Sequence, residues 1–155
     1  MAAREADAGR RIRRTYPVRP FIGVGAIVLR GDDVLLVKRA RPPRKGEWSI
    51  PGGMQHLGET VAEALRREVR EETGLEVEPV DVVAVVDSIF RDESGRVKYH
   101  YTLVDMLAAW RQGDPRAADD AAECAWVPLA QLDAYGLWAE TRRVIALADS
   151  RRRKS

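Results

Sequence analysis

Residues 60–75, TVAEALRREVREETGL, constrain this chain more than any other stretch, because they specify one short helix crowded with carboxylates. Thr60 followed three residues later by Glu63 reads as a capping box, so the helix is expected to begin at about Val61. Gly74 supplies the stop, since a glycine there can take the left-handed conformation that ends a helix. Val61, Ala64, Leu65 and Val69 recur at helical spacing and predict the buried stripe. Glu68, Glu71 and Glu72 then project within a sector of about 100°, displaced from that stripe. Carboxylates at i and i+4 repel one another, and Arg66, Arg67 and Arg70 offset part of the cost. An acidic helix is commonly no more than a solvated face laced with ion pairs. The alternative is a site for a hard divalent cation such as magnesium, which binds a few carboxylates together with substrate phosphates.

Extended upstream, the segment fills every specified place of the pattern G-x5-E-x7-R-E-U-x-E-E-x-G-U, where U is aliphatic: Gly53, Glu59, Arg67, Glu68, Val69, Glu71, Glu72, Gly74 and Leu75. This is the Nudix box, and the chain resembles Nudix hydrolases from about residue 21 to residue 145. The resemblance implies an α/β fold, the Nudix-type α/β/α sandwich with a mixed β-sheet, in which the box forms a loop-helix-loop. It implies cleavage of the diphosphate linkage in a nucleoside diphosphate joined to a further group. Such chemistry needs charge neutralisation and an aligned water more than a covalent nucleophile, and bound cations supply the first and acidify the second. By the same resemblance Glu68, Glu71 and Glu72 are the expected ligands of Mg2+ or Mn2+, with the Gly53 carbonyl as a further ligand. Glu68 or Glu71 is the expected base. Arg67 is expected to orient Glu68 and its neighbours, and Glu59 to support the loop and meet metal through water. Relatives often add one acid from beyond the box. Asp119, Asp120 and Glu123 occupy that region, with Asp120 and Glu123 ranking equally and exposed loop acids as their plain reading.

The 155 residues suffice for one domain with a proper core. Cys124, the single cysteine, excludes an internal disulfide and, with no signal peptide, points to a reducing cytoplasm. No apolar run is long enough to span a membrane. The net charge of +2 hides a segregation: six Arg against two acids in residues 1–20, and six basic residues against one Asp in residues 142–155, leave residues 21–141 at −7. Basic ends can hold nucleic-acid phosphates, but they are more often solvated, and nucleic acid is not the expected partner. The organisation expected is a basic flexible leader over 1–20, a Nudix hydrolase domain over 21–148 and a basic tail over 149–155. Glu5 and Asp7 argue against reading the leader as a transit peptide. A homodimer is a further expectation that the resemblance carries.

Taken in order, residues 21–29 and 34–37 read as a hairpin around Gly31. Residues 39–46, RARPPRKG, cannot be regular structure with adjacent prolines. Their cations either keep a loop soluble or meet substrate phosphate, Arg39 and Arg44 being the substrate-binding candidates beside Arg41 and Lys45. Residues 48–50 read as a short strand, with Trp48 in the core, and residues 51–53 as a sharp turn. Residues 77–90 form a long strand with Pro79 as its possible break, 91–95 a turn, and 96–107 the return strand. Its alternation sets Tyr99, Tyr101 and Leu103 on one face and His100, Thr102 and Val104 on the other. Either tyrosine packs in the core or stacks on a nucleobase. His56 sits in the loop before the helix, at a position the box leaves free. Residues 110–122 read as a polar loop, 123–128 as a strand, 129–132 as a small helix and 137–147 as the closing helix.

The flanks KGEWSIPGG, RVKYHYTLVD and DDAAECAWVPL are most similar to short bacterial ADP-ribose pyrophosphatases, which implies AMP and ribose 5-phosphate as products. Many ADP-ribose hydrolases carry a proline roughly sixteen residues after the box, where this chain has Arg91. Motifs typical of NADH and coenzyme A hydrolases are absent. A (d)NTP pyrophosphohydrolase of the MutT type is the alternative reading, and a non-catalytic nucleotide-sugar sensor the second. The intact ligand set argues against the sensor.

Overall fold

The computed structural model describes residues 12–118 and 120–154. In chain order they form β1 (Phe21–Arg30), β2 (Asp33–Arg39), β3 (Trp48–Ser49), β4 (Gly52–Met54), α1 (Val61–Thr73), β5 (Glu76–Arg91), β6 (Val97–Gln112) and β7 (Ala121–Pro128). A 3-10 helix over Leu129–Tyr135 and α2 (Ala139–Arg153) follow. The sheet runs β3-β2-β1-β6-β5, with β4 paired to β1 and β7 to β2. Only β1 and β6 pair in parallel, so the sheet is mixed. Strand β1 meets β2 only at Leu29 and Arg30, and gives its other end, Gly23 to Gly25, to β4. That splay seats the start of the box directly against the central strand.

Strand alternation sends successive side chains to opposite faces. Val24, Ala26 and Val28 of β1 meet Ala64, Leu65 and Val69 of α1 on one side. Ile27 and Leu29 meet Val144, Ile145 and Ala148 of α2 on the other. Leu35 and Leu36 of β2 divide in the same way and are fully buried. Burying one such side chain contributes about 2 kcal/mol. Two apolar layers, one under each helix, make the α/β/α sandwich that the resemblance implies.

Several boundaries differ from the sequence reading. Residues 52–54 are strand, not only turn, because β1 offers them a ladder at Gly23, Val24 and Gly25. The expected loop over 110–122 shrinks, since Glu76 and Val77 of β5 pair with Gln112 and Trp110 and carry β6 onward. Strand β5 runs through Pro79, and a slip in register between Pro79 and Asp81 accommodates the missing N–H. Helix α2 continues into the residues read as a basic tail. Arg151, Arg152 and Arg153 lie in its last turn, where cations complement the helix dipole. There Arg152 reaches Asp149 at 2.6 Å, and Arg153 reaches Asp149 at 3.0 Å and Asp32 at 3.1 Å. Of the expected leader, residues 1–11 lie outside the described residues. Tyr16 beyond them docks on the β5–β6 turn, its amide donating to the Lys98 carbonyl (2.8 Å) and its hydroxyl to Asp92 (2.9 Å). No described helix is long and apolar enough to cross a membrane.

Candidate active site

Helix α1 is built by the signals its sequence carries. The Glu63 amide donates to Thr60 Oγ1 (3.1 Å) and the Thr60 amide to Glu63 Oε2 (3.0 Å), which closes the capping box. Gly74 ends the helix at φ 75°. Ala64, Leu65 and Val69 are buried, and so is Glu72, which is 6% exposed. The Gly52 amide of β4 donates to Glu72 Oε2 at 3.2 Å. Burial nevertheless dominates at Glu72: with Glu68 and Asp120 repelling it as well, its carboxyl is pushed up to about 8 against the pull of the Gly52 amide and Arg39. Burial also raises the Glu68 carboxyl, although Arg67 opposes it.

Arg67 is the hub of the remaining acids. Its Nε and Nη2 grip both oxygens of Glu59 (2.6 and 2.9 Å), and Nη2 also reaches the Met54 carbonyl (2.9 Å). Its Nη1 donates to Glu68 (2.8 Å) and Glu71 (3.2 Å). This planar fork holds the Glu59 carboxyl down at about 2, helped by the His56 amide. One guanidinium therefore ties the loop before the helix, the end of β4 and two box carboxylates into one unit. Among the described residues no three His, Cys, Asp or Glu side chains stand close enough together to hold an ion by themselves. Glu68 and Glu71 face Arg67, and Glu72 faces Gly52.

A cavity of ≈ 150 Å³ opens beside this unit. Gly52, Gly53, Glu72, Asp120 and Arg39 line it, and so do Tyr101, Leu103, Trp138, Thr141 and Asp105. Arg39 donates from Nε to the Pro43 carbonyl at 2.8 Å. Arg44 lies over the rings of Phe90 and Trp138 (4.9 and 4.2 Å), and its Nε is buried with no hydrogen-bond partner among the described residues. Asp120 pairs with Arg41 at 2.8 Å. Arg39, Arg41, Arg44, Asp120 and Tyr101 thus share the cavity with the box.

Two substrate-binding candidates do not reach it. Glu123 is exposed in β7, in register with Lys38, because β7 begins at Ala121 and carries it away along β2. Tyr99 lies edge-to-face on Phe90 (6.3 Å) and lines a separate shallow groove with Pro42, Pro43 and Arg44. Trp48 meets the Tyr135 ring edge-on (5.2 Å) within the core and also forms part of the cavity wall. His56 is exposed beside Glu59, and His100 sits opposite Ile89 away from the cavity. Asp119 lies outside the described residues. Sequence reasoning missed Asp105, Ser88, Thr141 and Trp138, all of which line the cavity. Asp105 carried a signal: it is the one acid within the apolar run of β6, LVDML.

The donor set fits a hard cation. Every candidate ligand is an oxygen, as magnesium and manganese prefer. Gly53 lets the Glu68 carboxylate lie against the backbone of β4, since a Cβ there would stand 2.5 Å from both Glu68 oxygens. Burial pushes the Glu72 carboxyl up to about 8 although Arg39 pulls the other way, and a divalent ion beside it would reverse that.

Comparison with known proteins agrees with this geometry. The NUDIX domain family matches residues 19–148. Over 115 residues the chain is 36% identical to an ADP-ribose pyrophosphatase of Methanocaldococcus jannaschii, covering 74% of this chain and just under two thirds (66%) of that protein. A nucleoside triphosphatase NudI of Enterobacter sp. is 36% identical over 108 residues, covering 63% of this chain and 72% of that one. The crystal structure of a MutT NUDIX hydrolase from Burkholderia pseudomallei superimposes with a TM-score of 0.72 at 32% identity, covering 83% of this chain and 98% of that one. Box, fold and family match converge, and the chain belongs to the Nudix family of hydrolases acting on acid anhydrides.

Proposed function

We propose that the chain hydrolyses the diphosphate linkage of ADP-ribose, giving AMP and ribose 5-phosphate. One observation carries this reading: a single cavity brings Gly53 and Glu72 of the box together with arginines and with flat aromatic and apolar side chains. A nucleoside diphosphate derivative needs all three, namely oxygen ligands for cations, positive charge for phosphate and a surface for its base. The Methanocaldococcus relative, named an ADP-ribose pyrophosphatase, supports the choice of substrate.

Glu68, Glu71 and Glu72, with the Gly53 carbonyl, are the residues that would hold Mg2+ or Mn2+. When bound, the cations would stabilise charge on the phosphoryl oxygens and lower the pKa of the attacking water. Arg67 fixes the directions of Glu68 and Glu71, and Glu59 anchors Arg67 in turn. Glu68, whose proton affinity burial raises, is a suitable base for water, with Glu71 the other candidate. Arg39 and Arg44 meet the phosphates, the orphan Arg44 Nε offering a donor that needs an acceptor. Tyr101 supports the base, and Asp120 adds negative charge near Glu68 and Glu72.

A triphosphate reading rests on a different observation, the resemblance to the NudI nucleoside triphosphatase. Hydrolysis assays with excess magnesium, repeated with manganese, separate the two. The panel holds ADP-ribose, other nucleotide sugars, NADH, dinucleoside polyphosphates and the common NTPs and dNTPs. AMP released from ADP-ribose at the highest kcat/KM is the expected result. Pyrophosphate released from triphosphates at a higher kcat/KM would replace it.

A further inference from the structure

Asp105 has no role in the chemistry above. It lies in β6, in register with Gly25 of β1 and Ala84 of β5, and is 5% exposed. Burial deepens along this face of β6, from half-buried Tyr101 through Leu103 to Asp105, and all three line the cavity. Among the described residues nothing donates a hydrogen bond to the Asp105 carboxylate. Arg143 and Glu140 of α2 act on it only through their charges, in opposite senses, and they are paired with each other at 2.7 Å. The strand opposite has given up a side chain to admit it: a Cβ on Gly25 would overlap Asp105 Oδ1 and stand 2.9 Å from Ile50 Cδ1. Two further polar side chains, Ser88 and Thr141, are each 6% exposed and line the same cavity.

A buried carboxylate without donors costs stability that an apolar residue of similar size would not. Its persistence in the wall of a substrate cavity is explained if the ligand brings the donors. Tyr101, Trp138, Leu103 and Ile50 line the same cavity and offer flat and apolar surface that suits a ring. A carboxylate at the edge of such a ring accepts from N–H groups and repels carbonyl oxygens. We propose that Asp105 selects the nucleobase, accepting a hydrogen bond from its exocyclic amine. The inference rests on the cavity being the nucleotide site and names the chemical feature read there.

Binding of AMP, GMP and IMP by calorimetry in the presence of magnesium tests this without requiring turnover. Hypoxanthine puts an oxygen where adenine has its amine, and lacks the amine of guanine. Wild type is expected to bind an amine-bearing base at least about tenfold tighter than IMP. AMP in that place agrees with ADP-ribose as substrate, whereas GMP keeps the inference and transfers it to guanine nucleotides. Asp105→Asn, whose amide can donate to the hypoxanthine oxygen, is expected to narrow or reverse the preference. Asp105→Leu is expected to lose affinity for the amine-bearing nucleotide while its melting temperature stays the same or rises. An amine-to-IMP ratio that is equal in wild type and Asp105→Asn, with both folded, overturns the inference. If ADP-ribose is inert yet the ratio depends on Asp105, the substrate assignment falls and this one stands. If ADP-ribose turns over with an unchanged ratio in the variant, the reverse holds.

Discussion

A Cβ on Gly53 would stand 2.5 Å from both carboxylate oxygens of Glu68, so the backbone of β4 and the middle of α1 meet at a distance that only glycine permits. Gly53 is also in register with Val24 of β1 and cannot retreat without breaking that ladder. Gly53→Ala is therefore expected to push Glu68 out of line with Arg67 and lower kcat by about 100-fold, the scale of a 1 Å misplacement. Turnover measured beside the melting temperature checks this. Wild-type kcat in a folded variant would show that the close approach is dispensable.

Glu72 gives a prediction in which stability and activity part. It is desolvated, holds its proton up to about 8 and accepts one hydrogen bond, from the Gly52 amide. Glu72→Gln keeps that acceptor in a neutral group, so the metal-free variant is expected to melt at or above the wild-type temperature. The rise in melting temperature that magnesium gives wild type is expected to shrink, and hydrolysis to fall by orders of magnitude. Wild-type turnover in this variant would end the assignment of Glu72 as a ligand.

Arg67 is expected to tolerate no substitute. Lysine keeps the charge but cannot grip Glu59 through two nitrogens while reaching Glu68, Glu71 and the Met54 carbonyl. Arg67→Lys is expected to lower kcat by about tenfold or more, with a smaller change in KM, because the tie between loop and helix is lost. Steady-state kinetics on ADP-ribose would show the split. A change confined to KM would move Arg67 from positioning the carboxylates to binding substrate.

What the sequence made legible was local. The capping box at Thr60 and Glu63 and the stop at Gly74 bound α1 through contacts within a few residues, so its ends were readable. The burial of Glu72 was not, because it depends on Gly52, twenty residues earlier, being drawn into a strand by β1. Asp120 and Glu123 looked equivalent for want of the point where β7 begins; that point leaves Asp120 at the cavity and carries Glu123 off beside Lys38. Asp105 is marked in the sequence as an acid within an apolar run, but its place in the cavity wall depends on Gly25 of β1 and on α2 closing around it.

Tyr99 and Tyr101 share a face of β6, as alternation requires, but occupy different places along it. Tyr101 lines the cavity beside Phe21, at 6.1 Å between ring centroids, whereas Tyr99 packs on Phe90 outside it. Tyr101→Ala is expected to raise KM for the preferred nucleotide by about tenfold, within the range of one base–aromatic stack. Tyr101→Phe is expected to retain most of the affinity, and Tyr99→Ala to leave KM unchanged. Equal effects of the two alanine variants on KM would mean that the base lies elsewhere.

The buried carboxyl of Asp105 predicts how stability depends on pH. Burial pushes it from 3.8 up to about 6, with Glu140 adding to the shift and Arg143 opposing it. Between these values the unfolded chain has released the proton and the folded protein still holds it. The folded state therefore binds more protons there, and its stability falls as pH rises through the window, levelling off above about 6. Asp105→Asn has no proton to lose and lacks this fall. The variant is expected to match wild type near pH 4 and to exceed it by about 2–3 kcal/mol near neutrality, the free-energy equivalent of the shift. Urea unfolding of both proteins across the acid range, without nucleotide, measures the difference directly. Curves that stay parallel would mean that Asp105 is ionised in the folded protein throughout, with a donor that offsets its burial.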